Sequence, residues 1–323
     1  MKILITGCAG FIGFHLSRKL LQQKYSVVGI DSLNNYYDVN LKKNRLKEIK
    51  KNYKKFNFFK IDLCNYKKTY NFFRKNNFNY IVHLASQAGV RHSIKNPWSY
   101  IDNNINAYVN ILESCKNKGK TKFIFASSSS VYGNSLNFPL REDSNTNSPI
   151  QMYAVTKKTQ ELISSAYNNL YNLNIIGLRF FTVYGPWGRP DMALFKFVDN
   201  INKNKKIDVY NYGKHVRDFT YIDDLVESIY KIILSRKNNK NKKFKVYNIG
   251  SNNPIKLTNF ISIIEKKIKK VAKKNFLPLQ KGDIPKTHSD NNKFIRDYKF
   301  KHITSHEEGI SKFIDWYLDY YKK

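Results

Sequence analysis

Two patterns of apolar and polar residues follow each other in turn along the first half of the chain. Short apolar runs without strict polar alternation predict buried strands, and the longer stretches between them predict helices. The predicted strands are Lys2–Thr6, Ser26–Ile30, Asn57–Ile61, Tyr80–His83, Lys122–Ala126 and Ile175–Phe180. The predicted helices are Phe11–Gln23, Leu41–Asn52, Tyr66–Lys75, Ser99–Asn117 and Met152–Leu170. Strands that alternate with helices indicate βαβ units and a parallel sheet covered on both faces.

This regular alternation loosens after about residue 184, where Pro186, Gly188 and Pro190 mark a loop. The further predicted elements are short ones at Ala193–Asn202 and Ile207–Tyr210, helices at Ile222–Leu234, Leu257–Lys269 and His306–Tyr320, and an exposed, mobile loop at Ser235–Lys243. We therefore predict a doubly wound α/β fold with a smaller C-terminal α/β substrate domain. The larger domain is predicted at residues 1–183 plus about 216–250, and the smaller at about 184–215 plus 251–323. The smaller domain is expected to cover the carboxyl edge of the sheet, where such folds bind ligands.

The net charge of +33 is typical of nucleic-acid-binding proteins. Most of these basic residues are lysines, however, and they are scattered in pairs rather than gathered in one stripe. The chain is also rich in Asn, Ile, Tyr and Phe, which share A/T-rich codons with Lys. We therefore expect a solvated surface without a nucleic-acid partner, although the charge should attract an anionic substrate.

Targeting and redox signals are sparse. The N-terminus runs directly into a predicted strand instead of a signal peptide, and no apolar run approaches the roughly 20 residues of a membrane span. Cys8, Cys64 and Cys115 are far apart and form no CxxC pair. We expect a cytoplasmic protein with free, buried thiols and no metal site.

A glycine-rich turn joins the first strand to the first helix. Gly7, Gly10 and Gly13 form a GxxGxxG pattern, and Asp31 ends the second strand. The first glycine permits a tight turn, the second lets the backbone approach a pyrophosphate, and the third allows close packing of helix on sheet. The helix N-terminus then offers free N–H groups to phosphates. This predicts a Rossmann-like dinucleotide site, and Asp31 favours NAD over NADP because it would repel a 2′-phosphate.

Two further strand ends belong to the expected cofactor groove. Asp62-Leu63 follows the third strand, which places Asp62 near the adenine, and Leu84-Ala85 follows the fourth. Each pair can also be explained without a ligand, as a loop acid or as core packing.

Tyr153 and Lys157 form a YxxxK pair, which places both side chains on one face of a helix. A nearby ammonium lowers a tyrosine pKa, so that Tyr153 can act as a base near neutral pH. Such a pair is common by chance in a chain this rich in Tyr and Lys. Its position after a strand that ends in four serines makes it specific, because Ser128 can hydrogen-bond a sugar hydroxyl and relay its proton to Tyr153.

Together these motifs resemble the extended short-chain dehydrogenase/reductase family of sugar-nucleotide enzymes. More narrowly, the chain is similar to bacterial and plant UDP-glucuronate 4-epimerases over nearly its whole length, weakening after about residue 236. The matching runs are Asp31–Val39, Gln87–Arg91, Ser127–Gly133, Leu178–Lys196 and Arg217–Asp224.

The resemblance implies an epimerase mechanism and a set of site residues. Tyr153, helped by Ser128, would take the proton of the sugar 4-hydroxyl while tightly bound NAD⁺ takes the C4 hydride, and the hydride would return to the opposite face after the 4-keto sugar rotates. Lys157 would also bind the nicotinamide ribose. The implied cofactor residues are Gly7, Gly10, Phe11, Ile12, Gly13, Asp31, Asn35, Asp62, Leu63, Leu84, Ala85, Gln87, Asn104, Tyr153, Lys157 and Phe180. The implied substrate residues are Ser127, Ser128, Ser129, Arg91, Thr182, Arg189, Val209, Tyr210, Arg217 and Asp283.

The family also implies a homodimer built from the predicted helices Ser99–Asn117 and Met152–Leu170 of each subunit, which would form a four-helix interface. Because the second helix carries the catalytic pair, dimerisation would stabilise the site.

Neighbouring activities differ at a few positions. Sugar-nucleotide 4,6-dehydratases carry Thr-Asp-Glu where this chain has Ser128, Ser129 and Ser130, so elimination of water lacks its acid and base. A 4-keto uronic acid also tends to lose CO₂, and an epimerase must hold its carboxylate with fixed donors such as an Arg fork. Thr182 and Arg189 lie where the glucuronate epimerases place these contacts, whereas galactose-type epimerases usually have Asn at the Thr182 position.

The main hypothesis is thus epimerisation of UDP-glucuronate to UDP-galacturonate, a precursor of polysaccharides. Ser86, where the glucuronate epimerases usually have Ala, leaves the exact sugar open, and Arg91 could reach the carboxylate or pair with an acid. A UDP-N-acetylglucosamine or UDP-glucose 4-epimerase and, further away, a UDP-glucuronate decarboxylase remain alternatives. The non-enzyme alternatives are an NAD-bound regulator and a basic RNA-binding protein.

Overall fold

The computed structural model describes residues 1–118, 121–235 and 244–321. Except for Ser235, the loop predicted at Ser235–Lys243 lies outside these residues. In the described parts, no helix combines the length and the apolar character needed to cross a membrane.

The strands and helices of the described residues follow in chain order. The strands are β1 (Lys2–Thr6), β2 (Ser26–Asp31), β3 (Phe56–Lys60), β4 (Tyr80–His83), β5 (Lys122–Ser128), β6 (Asn174–Phe180), β7 (Thr182–Tyr184), β8 (Ile207–Tyr210), β9 (Val216–Tyr221), β10 (Lys245–Ile249), β11 (Pro254–Lys256) and β12 (Lys274–Leu277). The helices are α1 (Phe11–Gln22), α2 (Val39–Asn52), α3 (Tyr66–Arg74), α4 (Val90–Lys95), α5 (Trp98–Tyr100), α6 (Ala107–Cys115), α7 (Met152–Tyr171), α8 (Ala193–Asn202), α9 (Ile222–Leu234), α10 (Leu257–Ile268), α11 (Asn292–Tyr298) and α12 (His306–Tyr321).

The largest sheet has seven parallel strands in the order β10-β6-β5-β4-β1-β2-β3. Its centre, β1, shows why both faces are covered. Ile3 and Ile5 point into one hydrophobic core and Leu4 into the other, and all three are fully buried. The first core includes residues of α1 and α9, and the second includes residues of α3 and α6. The predicted doubly wound parallel sheet is therefore confirmed, and β10 adds a seventh strand to the six that were predicted.

The helix predicted over Ser99–Asn117 is helical but not regular. Between α5 and α6, residues Ile101–Asn106 form a π-helical segment. Within it, Asn104 is fully buried and bonds to the backbone of Gln87 and to the Thr156 hydroxyl. A π segment has more residues per turn than an α-helix, and such segments are frequent at functional sites. Periodicity alone cannot show it, because the partners of Asn104 lie elsewhere in the chain.

Two small sheets belong to the second half of the chain, with strand orders β11-β9-β7 and β12-β8. The predicted division into two domains stays a prediction. One detail matters for its boundary: β9, which was assigned to the larger domain, pairs with β7 and β11 instead of joining the main sheet, whereas β10 does join it.

Candidate active site

A cavity of about 670 Å³ opens at the carboxyl ends of the parallel strands. The glycine turn, the ends of β2, β4 and β5 and residues from the second half of the chain line it. Tyr153 and Lys157, both on α7, line the same cavity. The cavity therefore lies at the edge of the sheet where the site was predicted.

The glycine turn has the geometry that its residue types predicted. Gly7 has φ +70°, and a Cβ on it would lie 2.7 Å from the backbone nitrogen of Ala85. A Cβ on Gly13 would lie 2.1 Å from the carbonyl oxygen of Gly7, so no larger residue fits between α1 and the turn. Gly10, which precedes α1, offers no side-chain cap to the first N–H groups of this helix, and residues 10–13 line the cavity.

Asp31 braces the same turn from the end of β2. Its carboxylate accepts hydrogen bonds from the backbone nitrogens of Ala9 (3.0 Å) and Leu33 (2.8 Å). Burial raises the pKa of Asp31, and these hydrogen bonds and the charges of Lys42 and Arg45 act in the opposite direction. The carboxylate lines the cavity, where its remaining lone pairs can accept ribose hydroxyls.

Most of the predicted cofactor residues line this cavity, but two do not. Asn35 is exposed, and its neighbour Asn34 lines the wall instead, with its carbonyl and amide oxygens both bonded to Lys42. Asn104 is fully buried behind the loop after β4 and supports that loop through Gln87. Neither Asn35 nor Asn104 lines the cavity. The conformations of the loop after β2 and of the π segment determine where these two side chains lie, and the sequence does not show those conformations.

The predicted catalytic residues Ser128, Tyr153 and Lys157 all line the cavity. The Lys157 ammonium lies 5.9 Å from the centre of the Tyr153 ring and donates to the carbonyl oxygen of Ala126 at 2.8 Å. Burial lowers the pKa of Lys157 to about 7. Burial also raises the pKa of Tyr153, and a hydrogen bond with Ser128 and the charge of Arg189 partly offset this.

The tyrosine pKa therefore moves in the direction opposite to the one expected from the YxxxK pair alone. Desolvation outweighs nearby charge in this cavity, and Ser128 and Arg189 are the groups that favour the phenolate. The nearly fully buried Lys157 instead has its ammonium turned toward β5, with a second hydrogen bond to Gln160 at 3.2 Å.

The serines that end β5 divide into two roles. Ser128, Ser129 and Ser130 line the cavity, and the Ser128 hydroxyl also accepts from the backbone nitrogen of Ser130 at 3.1 Å. Ser127, predicted to bind substrate, reaches the cavity wall, but its hydroxyl donates to buried Glu161 at 2.6 Å. This difference follows from the pleat, since neighbouring residues of a strand point to opposite faces.

Thr182 and Arg189, which were predicted to bind the substrate carboxylate, both line the cavity. The guanidinium of Arg189 is already paired, because Nε and Nη2 donate to the carboxylate of Asp191 at 3.0 and 2.5 Å. Tyr36, from the loop after β2, donates to the same carboxylate at 3.3 Å. The three side chains thus join two loops across the cavity.

The remaining predicted substrate residues are Arg91, Val209, Tyr210, Arg217 and Asp283. Arg91 lies over the Tyr210 ring at 5.2 Å, and Arg217 donates to Asp283 at 2.9 Å. Arg91 and Asp283 line the cavity, whereas Tyr210 and Arg217 stand behind them. Val209 does not line the cavity and is fully buried in the core, and its role in substrate binding stays a prediction.

Comparison with known proteins places this geometry in a family. Residues 3–250 match the NAD dependent epimerase/dehydratase family. The chain belongs to this family. The predicted family resemblance is confirmed.

Known proteins and a solved structure are similar to this chain over nearly its whole length. It is 48% identical to Protein CapI of Staphylococcus aureus over 100% of both chains. It is 39% identical to UDP-glucuronate 4-epimerase 2 of Arabidopsis thaliana, over 100% of this chain and 77% of the plant protein. The crystal structure of the UDP-glucuronic acid 4-epimerase from Bacillus cereus, in complex with UDP-glucuronic acid and NAD, matches with a TM-score of 0.93 and 34% identity, over 99% of this chain and 100% of that one.

The residues of this epimerase/dehydratase family member fit the NAD on which the family depends. Because Gly7, Gly10 and Gly13 carry no side chains, a pyrophosphate can approach the backbone of the turn closely. The Asp31 carboxylate can accept hydrogen bonds from ribose hydroxyls. Lys157, whose ammonium is buried beside the cavity, can donate to a second ribose.

Several residues of the site were missed in the sequence. Tyr36, Lys42 and Asp191 line the cavity. Tyr36 and Asp191 lie inside runs that match the glucuronate epimerases, and this match could have identified them. Arg45, on α2, does not line the cavity but supports the loops around it, and it carried no signal in the sequence. It is fully buried, has no acidic partner within ion-pair distance among the described residues, and donates to Ala9 O (2.9 Å), Tyr37 Oη (2.7 Å) and Trp187 O (2.6 Å).

Proposed function

We propose that the protein is a UDP-glucuronate 4-epimerase, which interconverts UDP-glucuronate and UDP-galacturonate. One arrangement carries the proposal: a Tyr153–Ser128 pair opposite Arg189 in one cavity, without a carboxyl group at positions 128–130. The pair suits oxidation of a sugar hydroxyl, the serines disfavour elimination of water, and the arginine suits a uronic acid.

The protein's own groups account for proton movement and for orientation. Ser128 holds the sugar 4-hydroxyl and passes its proton to the phenolate form of Tyr153, which the Ser128 hydrogen bond and the charge of Arg189 favour against burial, and the same pair returns the proton after inversion. When bound, NAD accepts a hydride from C4 and gives it back, so it is neither consumed nor released, and we propose that it stays tightly bound. Arg217 and Asp283, joined by a hydrogen bond of 2.9 Å, hold the diphosphate and the uridine ribose while the sugar turns.

Incubation with UDP-glucuronate tests the proposal. Protein with a measured NAD content should convert UDP-glucuronate to UDP-galacturonate, and the reverse reaction should reach the same ratio, with both sugars followed by NMR. If folded, NAD-loaded protein forms no galacturonate from UDP-glucuronate, the proposal is wrong.

A neutral sugar is the second candidate, and one observation favours it. Because Asp191 already neutralises Arg189, the far side of the cavity does not present an isolated cation. UDP-glucose and UDP-N-acetylglucosamine should therefore be compared with UDP-glucuronate at equal concentrations. A higher kcat/KM for either neutral sugar would assign the protein to that substrate.

We further propose a homodimer through a four-helix interface formed by α7 and the helical residues 98–115. Leu162 and Leu170 lie two turns apart on α7 and are 60% and 73% exposed, and Trp98 is 76% exposed. Such an apolar face on a helix suits a subunit contact. Light scattering should give a dimer that Leu162→Glu dissociates, whereas Leu136→Glu, at an exposed site outside these helices, should remain dimeric. A monomeric wild-type protein would rule this interface out.

A cytoplasmic location and a role in polysaccharide synthesis complete the proposal. The three cysteines are free thiols, which suits a reducing compartment. The polysaccharide role follows from the use of UDP-galacturonate as a sugar donor, so it depends on the product assay above.

A further inference from the structure

The pairing of Arg189 with Asp191 uses one particular edge of the guanidinium. Nε and Nη2 donate to the two oxygens of one carboxylate, which is a side-on, bidentate contact. An arginine has a second bidentate edge, made by Nη1 and Nη2. Asp191 is the sole acidic residue within ion-pair distance of Arg189 in the described parts of the chain, so no internal carboxylate takes this second edge.

The pair is held on both sides. Tyr36 donates to the Asp191 oxygen that also accepts from Nη2 of Arg189, and the Arg189 guanidinium lies 6.0 Å from the centre of the Tyr36 ring. Burial acts to raise the pKa of Asp191, but the charge and hydrogen bonds of Arg189, together with the hydrogen bonds from a backbone N–H and from Tyr36, keep that pKa below its usual value. Asp191 is therefore a carboxylate near neutral pH, and its partner stays in one orientation.

We propose that Asp191, supported by Tyr36, is a positioning residue for substrate specificity. It occupies the side-on edge of Arg189 and so reserves the end-on edge for the C6 carboxylate of a UDP-hexuronic acid. The inference rests on the proposed function and gives it a structural determinant. It also explains why a neutralised arginine can still select a uronic acid: the selection comes from the fixed direction of two N–H groups rather than from net charge.

Fixed orientation matters because the 4-keto uronic acid is a β-keto acid. In the side reaction the C5–C6 bond breaks, CO₂ leaves, and the bonding electron pair forms an enolate with the C4 carbonyl. C5 then takes up a proton, which leaves a UDP-4-keto-pentose that is released or reduced at C4 by the hydride first removed. A carboxylate held with the C5–C6 bond out of line with the carbonyl π system does not follow this path.

Asp191→Asn tests the proposal. The amide keeps the size of the side chain but loses the bidentate acceptor, so Arg189 is freed to move. We expect the share of UDP-pentose plus UDP-4-keto-pentose in the products from UDP-glucuronate to rise at least tenfold over wild type. KM for UDP-glucuronate should change less than threefold, because the arginine charge remains. Asp191→Glu should restore part of the wild-type product ratio, and Tyr36→Phe should raise the pentose share about threefold.

Controls separate positioning from general damage. Asp315→Asn removes an exposed ion pair with Lys267 on the surface and should leave the product ratio unchanged. NAD content and the unfolding temperature are measured for every variant, and Tyr36→Phe and Asp191→Glu carry the test if Asp191→Asn does not fold. An unchanged product ratio in folded Asp191→Asn overturns the inference. It is also overturned if Asp191→Glu raises the pentose share as much as Asp191→Asn does. Wild-type protein that forms no galacturonate would instead overturn the proposed function.

Discussion

The two ends of the cavity are built in different ways. At the cofactor end, contacts come from glycines and from a strand-end acid only 22 residues from the loop it braces, and most of them are made by the backbone. At the sugar end, polar and charged side chains meet from distant loops, as Tyr36 and Asp191 do across 155 residues. The cofactor end is therefore a rigid shape, and the sugar end is a set of paired charges.

This difference indicates how each end responds to change. A tight backbone shape suits a cofactor that stays bound, so damage there should affect every sugar equally. Paired side chains suit a ligand that must exchange and turn, so damage there should change the choice between sugars or products. Tyr153 and Lys157 lie where the two ends meet, and their loss should affect all substrates.

The largest effect is expected from Tyr153→Phe. Without the hydroxyl no group accepts the proton of the sugar, and kcat should fall about 10³-fold for every UDP-sugar that the protein uses. NAD content and unfolding temperature should match wild type. Tyr167→Phe, which removes a hydroxyl from the same helix that bonds to Glu113, serves as the control and should retain activity. A loss for only one sugar would show that Tyr153 belongs to the sugar end alone.

Lys157→Met should separate stability from activity. Burial lowers the pKa of Lys157 from 10.5 to about 7, so the unfolded chain binds more protons than the folded one between these pH values. Stability therefore rises with pH across this window, and the charged lysine opposes folding at its lower end. In NAD-free protein, Lys157→Met should raise the free energy of unfolding by about 2 kcal/mol at pH 7, after its lost hydrogen bonds are subtracted.

This gain should shrink toward pH 10, while kcat falls about 10²-fold at every pH. Denaturant unfolding at both pH values and steady-state kinetics check the two expectations. Lys158→Met, at the next position on α7, should bring no comparable gain, because Lys158 is only partly buried. Equal stabilisation by both substitutions would contradict a specific burial cost at Lys157.

Gly13→Ala and Gly188→Ala test the contrast directly. The new Cβ would lie 2.1 Å from Gly7 O in the first and 2.9 Å from Gly185 O in the second. Gly13→Ala should reduce NAD content and lower activity about tenfold on every sugar alike, through strain in the packed turn. Gly188→Ala, next to Arg189, should leave NAD content unchanged and alter the ratio of kcat/KM between UDP-glucuronate and UDP-glucose. The same pattern in both variants would remove the distinction between the two ends.

The smallest effect is expected from Ser86→Ala. Sequence comparison left this serine as an open question for sugar preference, but its hydroxyl donates to the amide oxygen of Asn104 at 2.8 Å. We therefore expect the ratio of kcat/KM between UDP-glucuronate and UDP-glucose to change less than threefold. A larger change would mean that Ser86 contacts the sugar.

The sequence by itself determined the features that depend on short spacing. Strand and helix periodicity predicted the doubly wound sheet, and Gly7, Gly10 and Gly13 predicted the shape of the turn. The four-residue spacing of Tyr153 and Lys157 placed them together, and the order of the strands brought Ser128 to the same edge. These relations are local or follow from parallel topology, so residue types and distances along the chain were sufficient.

Only the tertiary structure decided the partners that come from far along the chain. It paired Arg189 with Asp191 and Tyr36, placed Arg45 between the glycine turn and the loop at Trp187, and turned Asn104 and Val209 away from the cavity. It also made burial, rather than the neighbouring ammonium, the main influence on the pKa of Tyr153. Long-range pairing and desolvation depend on the packing of the whole chain, and spacing in the sequence carries no record of them.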